Sequence, residues 1–217
     1  MNLFRIAFAG CVLAGAGTLA EAKPIAFSHG TTVMAEYGAG TMTEAQVFYA
    51  PKYFLSLGGG HLELESDIDH RRREITYARA NYLVKRWNLE DAQANVFVWG
   101  GAGQAYVSEL DEHQFAANAG AQIDYETRRI YASLKTDLQR ADAFSHRTDT
   151  LQLGLAPYKH DFDSLATWFV LQGRQYTGGI HDGTEWALLL RLFKRGAWIE
   201  AGVTDEGKLQ AMAMVNF

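Results

Sequence analysis

Residues 209–217 read Leu209-Gln210-Ala211-Met212-Ala213-Met214-Val215-Asn216-Phe217, and they indicate the fold more clearly than any other part of the chain. Apolar residues occupy every odd position, whereas the polar Gln210 and Asn216 share the even positions with two methionines. Successive side chains of a β-strand point to opposite faces of a sheet, so an apolar residue at every second position predicts a strand with one apolar face. We therefore predict a strand over 208–217.

The same alternation recurs from Thr31 onward. In 184–194 it places Leu188 and Leu190 on one face and Arg191 on the other. Twelve segments follow the pattern, at roughly 31–37, 43–50, 53–65, 74–86, 93–107, 114–126, 129–139, 149–158, 165–175, 184–194, 197–204 and 208–217. Between Leu57 and Leu64 the apolar positions change phase across three glycines, which predicts a bulge or kink.

Composition excludes several other classes of protein. After residue 22 no uncharged apolar run approaches the roughly 20 residues of a membrane-spanning helix. Hydrophobic residues make up 48% of the chain and there are only three prolines, which is not the composition of a disordered protein. The net charge is −5 and is mixed along the chain, so there is no basic stripe for nucleic acid. A folded, β-rich chain remains.

Residues 1–22 have the layout of a secretory signal peptide. Arg5 precedes an uncharged, apolar stretch over 6–20, and Ala20-Glu21-Ala22 provides the small residues of a cleavage site after Ala22. The remaining domain, 23–217, then contains no cysteine. Phe8-Ala9-Gly10-Cys11 also loosely resembles a lipoprotein box, and lipidation there would give a tethered protein instead; the apolar region before Cys11 is shorter than usual for such a signal.

The predicted connections alternate in character. Four of them are acidic and carry a histidine: 67–70, 110–113, 141–149 and 178–183. Those at 50–52, 126–129 and 194–197 are short and mostly basic. Loops at one rim and turns at the other are typical of an up-and-down barrel, in which an even number of strands brings both ends of the domain to one side.

The end of the chain also carries a family resemblance. The stretch from Ala211 to Phe217 resembles the terminal strand of Gram-negative outer-membrane β-barrel proteins, in which a final Phe after alternating apolar residues is read by the assembly machinery. The resemblance covers this strand and, loosely, the whole alternating pattern, and it points to no particular porin, transporter or lipase family. It implies an all-β, antiparallel, up-and-down transmembrane β-barrel of about 12 strands in the outer membrane. Its expected partners are outer-membrane lipid and the assembly machinery, with Val215 and Phe217 as the assembly signal.

A secreted, soluble barrel or sandwich is the alternative, and it predicts apolar residues inside and charges outside. If the apolar faces instead meet lipid, the opposite faces line a lumen. The charged residues on those faces are Arg79, Asp124, Lys135, Asp137, Arg174, Arg191 and Glu200. A tight turn centred on Arg195 and Gly196 places Arg191 opposite Glu200, close enough for an ion pair. Such pairs either fill and stiffen the interior or form an ion-selective constriction, and a count of twelve strands does not decide between the two.

The sequence also contains candidate residues for a metal-binding site and for a hydrolase site. His70, His113, His146 and His181 fall one in each predicted acidic loop, so a metal-binding rim is conceivable, although their spacing matches no ligand motif. Met212 and Met214 face the predicted interior, as filler or as soft metal ligands. Ser108 with His113, and Ser145 with His146, are the close Ser–His pairs of these loops, but there is no Gly-x-Ser-x-Gly motif, and the glycine-rich stretches lack the strand-to-helix context of a phosphate loop.

Three functions stay open at this point. The first is a narrow channel or uptake protein for small polar or ionic solutes, with the lumen charges as its working residues. The second is a closed barrel with a binding or structural role in its outer loops, divalent metal ions included. The third is a lipid-modifying outer-membrane hydrolase. No cofactor is predicted for the chain.

Overall fold

The computed structural model describes Ile25, 27–66, 70–161, 163–178 and 182–217. The predicted signal peptide, its cleavage after Ala22 and the motif at Cys11 lie outside these residues. The described residues form twelve strands: β1 (Thr31–Gly38), β2 (Met42–Lys52), β3 (Leu55–Glu65), β4 (Arg72–Asn88), β5 (Ala92–Val107), β6 (Glu112–Thr127), β7 (Ile130–Ala141), β8 (Ser145–Leu155), β9 (Ala166–Thr177), β10 (Gly183–Lys194), β11 (Ala197–Thr204) and β12 (Leu209–Asn216). Within the same ranges there is no helix of the length and hydropathy needed to cross a membrane.

The sheet closes on itself. Each strand pairs antiparallel with its neighbour in sequence, and β1 pairs with β12 to complete the circle. At this seam Thr32 lies opposite Asn216, and its hydroxyl donates a hydrogen bond of 2.7 Å to Asn216 Oδ1. Beyond β12, Phe217 exchanges two backbone hydrogen bonds with Thr31. The prediction of an up-and-down antiparallel barrel of about twelve strands is confirmed.

The two faces of the barrel differ as the alternation predicts. Along β9, Trp168, Val170 and Gln172 are buried, whereas Phe169 and Leu171 between them are exposed. On β10, Leu188 is 68% exposed, while its neighbour Leu189 is buried. The predicted soluble alternative requires charges outside, yet Arg191, Glu200 and Asp124 lie inside. An apolar exterior around a sheet without free edges is the surface of a barrel that spans a bilayer, because hydrocarbon offers backbone groups no hydrogen bonds.

The strand connections follow the predicted alternation with one exception. We call the rim that carries the start of β1 and the end of β12 the proximal rim, and the opposite one the distal rim. The connections at the distal rim span three to six residues, whereas four of the five at the proximal rim span two or three, which is the predicted alternation of loops and turns. The exception is the longest connection, 156–165, which lies at the proximal rim. Pro157 has no N–H with which to continue β8 beyond this point. At the distal rim β8 already begins at Ser145, which makes the loop predicted at 141–149 shorter than expected.

The predicted bulge at Gly58 to Gly60 is also absent. The pairing of β3 with β4 runs without a shift from Leu55 opposite Tyr82 to Glu65 opposite Arg72. The apolar residues change face instead, with Leu57 exposed and Leu62 buried. Register shifts occur between Tyr49 and Lys52 on β2 and between Leu83 and Lys85 on β4.

Apolar side chains fill the interior near both rims. The distal cluster includes Leu64, Val107 and Phe144 at the ends of β3 and β5 and in the turn after β7. Near the proximal rim, one cluster contains Trp168 and Ala156, and another packs Ile25 against Phe97. The polar and charged side chains are therefore concentrated between these clusters.

Candidate functional site

Within the described residues, three cavities lie one after another from the proximal to the distal rim. The proximal cavity, of about 450 Å³, is bordered by the β4–β5 turn, by Arg128 and by His160. The central cavity measures about 130 Å³ and is lined by charged residues together with Phe48, Trp99 and three methionines. The distal cavity, of about 40 Å³, lies beneath Leu62 and Leu64.

Two layers of side chains separate these cavities. Tyr131, Arg191 and Trp198 border both the proximal and the central cavity, and we call them the proximal layer. Glu36, Lys135, Thr150 and Arg174 border both the central and the distal cavity, and they form the distal layer. A solute that moves along the axis has to pass both layers.

Arg191 organises the proximal layer. It lies opposite Glu200 in the β10–β11 hairpin, which is the register expected from the turn at Arg195 and Gly196. Its Nε donates to Glu200 Oε2 at 2.6 Å, and its Nη2 donates to Gln152 Oε1 at 2.8 Å. The guanidinium lies 4.2 Å from the ring centre of Trp198 and 4.6 Å from that of Tyr131. Ion pair and cation–π contacts together fix this cation in place.

A chain of amides continues from Arg191 along the wall of the central cavity. Gln152 Nε2 donates to Gln172 Oε1 at 2.7 Å, and Gln172 Nε2 donates to Gln210 Oε1 at the same distance. Gln210 in turn donates to Glu185. These bonds join β8, β9, β12 and β10 across the interior, so each of the three glutamine side chains has a hydrogen-bond partner inside the barrel.

The distal layer combines two ion pairs. Arg174 Nη2 donates to Glu36, which places a contact between β9 and β1 across the lumen. Lys135 Nζ lies 2.7 Å from Asp137 Oδ2, and it also interacts electrostatically with Glu36 and Glu44. Trp99 Nε1 donates to the other oxygen of Asp137 at 2.9 Å.

Arg79 lies beside this layer and has a different environment. Its Nη2 donates to the neutral Gln46 Oε1 at 3.1 Å. Its guanidinium lies 4.8 Å from the ring centre of Phe48 and 5.5 Å from those of Tyr77 and Trp99. Among the described residues no carboxylate forms an ion pair with it, and three aromatic rings hold it at the edge of the central cavity.

The formal charge differs from one cavity to the next. Four cationic side chains and two carboxylates line the central cavity. In the distal cavity three carboxylates face two cations, and in the proximal cavity four carboxylates face two cations, histidines not counted. A positive middle section therefore lies between two negative ones.

All seven predicted lumen residues lie on the interior face, but they do not form one group. Arg79, Lys135, Arg174, Arg191 and Glu200 line the central cavity, and Asp137 lines the distal one. Asp124 borders none of the three; it accepts hydrogen bonds from Asn95 at 2.6 Å and Gln122 at 3.1 Å, within the β5–β6 wall.

Glu36, Gln46 and Trp198 were not predicted as site residues. The alternation in 31–37 and 43–50 carries the signal for the first two, because Ala35 and Val47 beside them are apolar. Val215 and Phe217 are exposed on the outer surface, where their role in assembly stays a prediction.

Within the described part of the chain, the histidines do not form a metal-binding rim. His70 and His113 are exposed; His70 lies near Glu65, and His113 contacts the ring of Tyr106. The prediction that His146 lies in an outer loop is wrong, because β8 includes it and turns it inward against Tyr176. His181 lies outside the described residues. Within them, no group of three or more His, Cys, Asp or Glu side chains is arranged to hold a metal ion.

The Ser–His pairs do not have the geometry of a hydrolase. Ser108 Oγ accepts a hydrogen bond from the backbone N–H of Arg72 and donates to Glu109, while His113 contacts Tyr106. Ser145 is exposed and His146 is buried, so these neighbours lie on opposite faces of β8. A nucleophile needs a base within hydrogen-bond reach, and neither pair provides one.

No protein-family model matches the sequence, and no curated protein is similar to it. Among solved structures, the chain is similar to one described as a KdgM porin in complex with disordered oligogalacturonate. The TM-score is 0.48 and the sequence identity 10%, over 87% of this chain and 98% of the other. What this barrel does has to be inferred from its own geometry.

Proposed function

We propose that this chain is an outer-membrane barrel that lets small polar or ionic solutes pass through a narrow, charge-lined lumen. The observation that carries the proposal is the series of three cavities inside a barrel with an apolar exterior. The layers between them consist of side chains, which can change rotamer, and not of backbone. The working residues are then Arg191 in the proximal layer and Arg174, Glu36 and Lys135 in the distal layer.

The dimensions favour small solutes. A cavity needs roughly 10–15 Å³ by this measure to hold one water molecule. The central cavity, at about 130 Å³, therefore holds several waters or a solute of a few heavy atoms. Larger solutes would require the Arg174–Glu36 and Arg191–Glu200 pairs to separate together, so the conductance should be small and selective.

Conductance in planar bilayers tests this function. We expect the purified protein to give discrete, small current steps in symmetrical potassium chloride. A double variant, Glu36→Ala with Arg174→Ala, removes both charges of the distal layer and should increase the size of the steps. Arg147→Gln is the matched control, because Arg147 pairs with Asp149 on the outer face and should leave the steps unchanged. Silence of both wild type and double variant, with the barrel intact, would refute the channel.

The membrane location is tested separately. A folded outer-membrane barrel should need detergent for extraction from the cell envelope, and unboiled sample should migrate differently from boiled sample on a gel. Recovery of the chain from periplasmic extract without detergent would refute this location. The same gel shift shows whether each variant has folded.

A closed barrel is the second candidate, and one observation favours it. The hydrogen-bonded chain from Glu200 through Arg191, Gln152 and Gln172 to Gln210 ties five strands together and fixes one wall of the lumen. If these bonds persist, the lumen stays closed to solutes, and the barrel is a rigid protein with a structural role. The absence of current in the bilayer experiment would support this candidate.

A further inference from the structure

The central cavity is bordered by buried hydrogen-bond donors that have no acceptor. They are Arg79 Nε, Arg174 Nε and Nη1, and Trp198 Nε1. Each of the three side chains is at least nine-tenths buried, and all three line the cavity. Buried donors are nearly always paired in proteins, so each such atom calls for an explanation. Their location around one cavity suggests a shared ligand.

These unpaired atoms are all of one kind. Among the residues that line the central cavity, every buried polar atom without a partner is an N–H donor. Three acceptors of the cavity are already engaged: Glu200 Oε2 and Gln152 Oε1 by Arg191, and Glu36 Oε1 by Arg174. A ligand that complements this surface must therefore supply acceptors.

The charge of the cavity points the same way. Glu36 and Glu200 each face an arginine, and Lys135 pairs with Asp137. Arg79 is hydrogen-bonded to the neutral Gln46, lies against aromatic ring faces and interacts electrostatically with Glu44, which does not line this cavity. Arg174 is hydrogen-bonded to Tyr176 as well as to Glu36, yet its Nε and Nη1 lack an acceptor. An excess of positive charge is therefore centred on Arg79.

We infer that the central cavity binds one small anion, a carboxylate or inorganic oxyanion of a few heavy atoms, with Arg79 as its principal partner. Arginine presents a planar fork of donors that fits the oxygens of such anions. Arg174 and Trp198 supply the further donors at the wall. The central cavity has more cations than carboxylates in its lining, unlike the other two cavities, so the anion binds best there. This inference rests on the proposed function because the anion reaches the cavity along the lumen.

Binding is measured first, and independently of conduction. The folded protein in detergent is titrated with potassium acetate and, separately, with potassium phosphate, and the fluorescence of Trp99 and Trp198 in the cavity wall is followed. We expect a saturable change for wild type. Arg79→Gln should weaken binding by about tenfold, the effect of losing a hydrogen bond to a charged group. Trp198→Phe keeps an aromatic ring but removes Nε1, and should weaken binding about threefold, judged by the Trp99 signal.

Arg147→Gln, on the outer face, serves as the matched control and should bind like wild type. Absence of saturable binding by folded wild type would overturn the inference, as would equal binding by wild type, Arg79→Gln and Trp198→Phe. If Arg79→Gln fails the gel-shift test for folding, Trp198→Phe alone decides.

Ion selectivity distinguishes this inference from the proposed function. Under a gradient of potassium chloride in planar bilayers, we expect a reversal potential of the sign given by chloride permeation, reduced toward zero in Arg79→Gln. Currents that prefer potassium would overturn the anion site and leave the channel standing. Saturable binding that depends on Arg79, without any current, would overturn the channel and leave the anion site standing.

Discussion

Arg191 and Glu200 face each other across the β10–β11 hairpin, and both side chains are more than nine-tenths buried at a contact of 2.6 Å. The arginine also binds Gln152 and lies against two aromatic rings. In this pair each charge is neutralised and hydrogen-bonded where water has little access. Removing one of the two charged side chains should therefore change the free energy of unfolding differently from removing both.

Glu200→Ala should lower the free energy of unfolding by about 3 kcal/mol, because it leaves a buried arginine without its carboxylate. Arg191→Met combined with Glu200→Leu should lower it by less than the single change, since no uncompensated charge remains. Urea unfolding in detergent, followed by the gel shift, measures both. A double variant less stable than Glu200→Ala would contradict this explanation.

Glu36→Gln should shift ion selectivity further toward anions. The change removes one of the two carboxylates of the central cavity and leaves its four cations in place, so the section becomes more positive. The ratio of chloride to potassium permeability, from the reversal potential, should rise above that of wild type. The outer-face variant Asp149→Asn also removes a carboxylate and should leave the ratio unchanged; an equal rise there would show that the effect is not local.

The stability of the connection 156–165, at the proximal rim, should depend on the protonation of His160. Burial lowers the pKa of His160 below 6.5, and the nearby Arg128 lowers this pKa further. Around and below pH 6.5 the unfolded loop therefore binds more protons than the folded one, so the loop loses stability as the pH falls from 7 towards the lower pKa of the folded state. The ring also contacts Trp168 edge to face, at 5.8 Å between centres.

Limited proteolysis of 156–165 at several pH values checks this prediction. Cleavage should become faster as the pH falls below 7 in wild type, relative to a loop-independent substrate, and His160→Phe should abolish most of that dependence. An unchanged pH profile in this variant would assign the effect to other groups.

The β1–β12 seam should be sensitive to a single buried hydrogen bond. Thr32 Oγ1 donates to Asn216 Oδ1 at 2.7 Å, and both residues are buried. Asn216→Ala leaves the hydroxyl without this acceptor and should destabilise the barrel by about 1–2 kcal/mol. Thr32→Val with Asn216→Leu removes both partners and should cost less. The temperature at which the gel shift is lost gives the comparison, and equal losses would show that the hydrogen bond contributes little.

The alternation of apolar residues predicted about twelve strands and the face on which the seven charged lumen residues lie, and together with the resemblance of the terminal strand it predicted the closed barrel. It also predicted Arg191 opposite Glu200, because a tight turn fixes the register of the strands that it joins. The contact between Arg174 and Glu36 could not be predicted in this way. They come from β9 and β1, which do not pair, and meet across the lumen. Such a contact depends on the tilt of the strands and the width of the barrel, which no local pattern contains.

The errors have local causes. His146 lies inside because β8 begins at Ser145, and Ser145-His146-Arg147 has no apolar alternation to mark the strand. At Gly58 to Gly60 the pleat continues, while the apolar residues move from the outer face to the inner face near the distal rim. In the sequence, apolar residues that move from one face of a strand to the other give the same pattern as a bulge that shifts the register.

The pairing of β1 with β12 has a consequence for the order of folding. The eleven other pairings join neighbours in the chain, whereas Thr32 and Asn216 are 184 positions apart. Hairpins can form one after another as their strands become available, but the circle cannot be completed until β12 is present. Up to that moment two strands have unsatisfied backbone groups that can recruit a strand of another molecule. The intermediate most exposed to aggregation is thus an almost complete, unclosed sheet, whose two edges stay open until β12 pairs with β1.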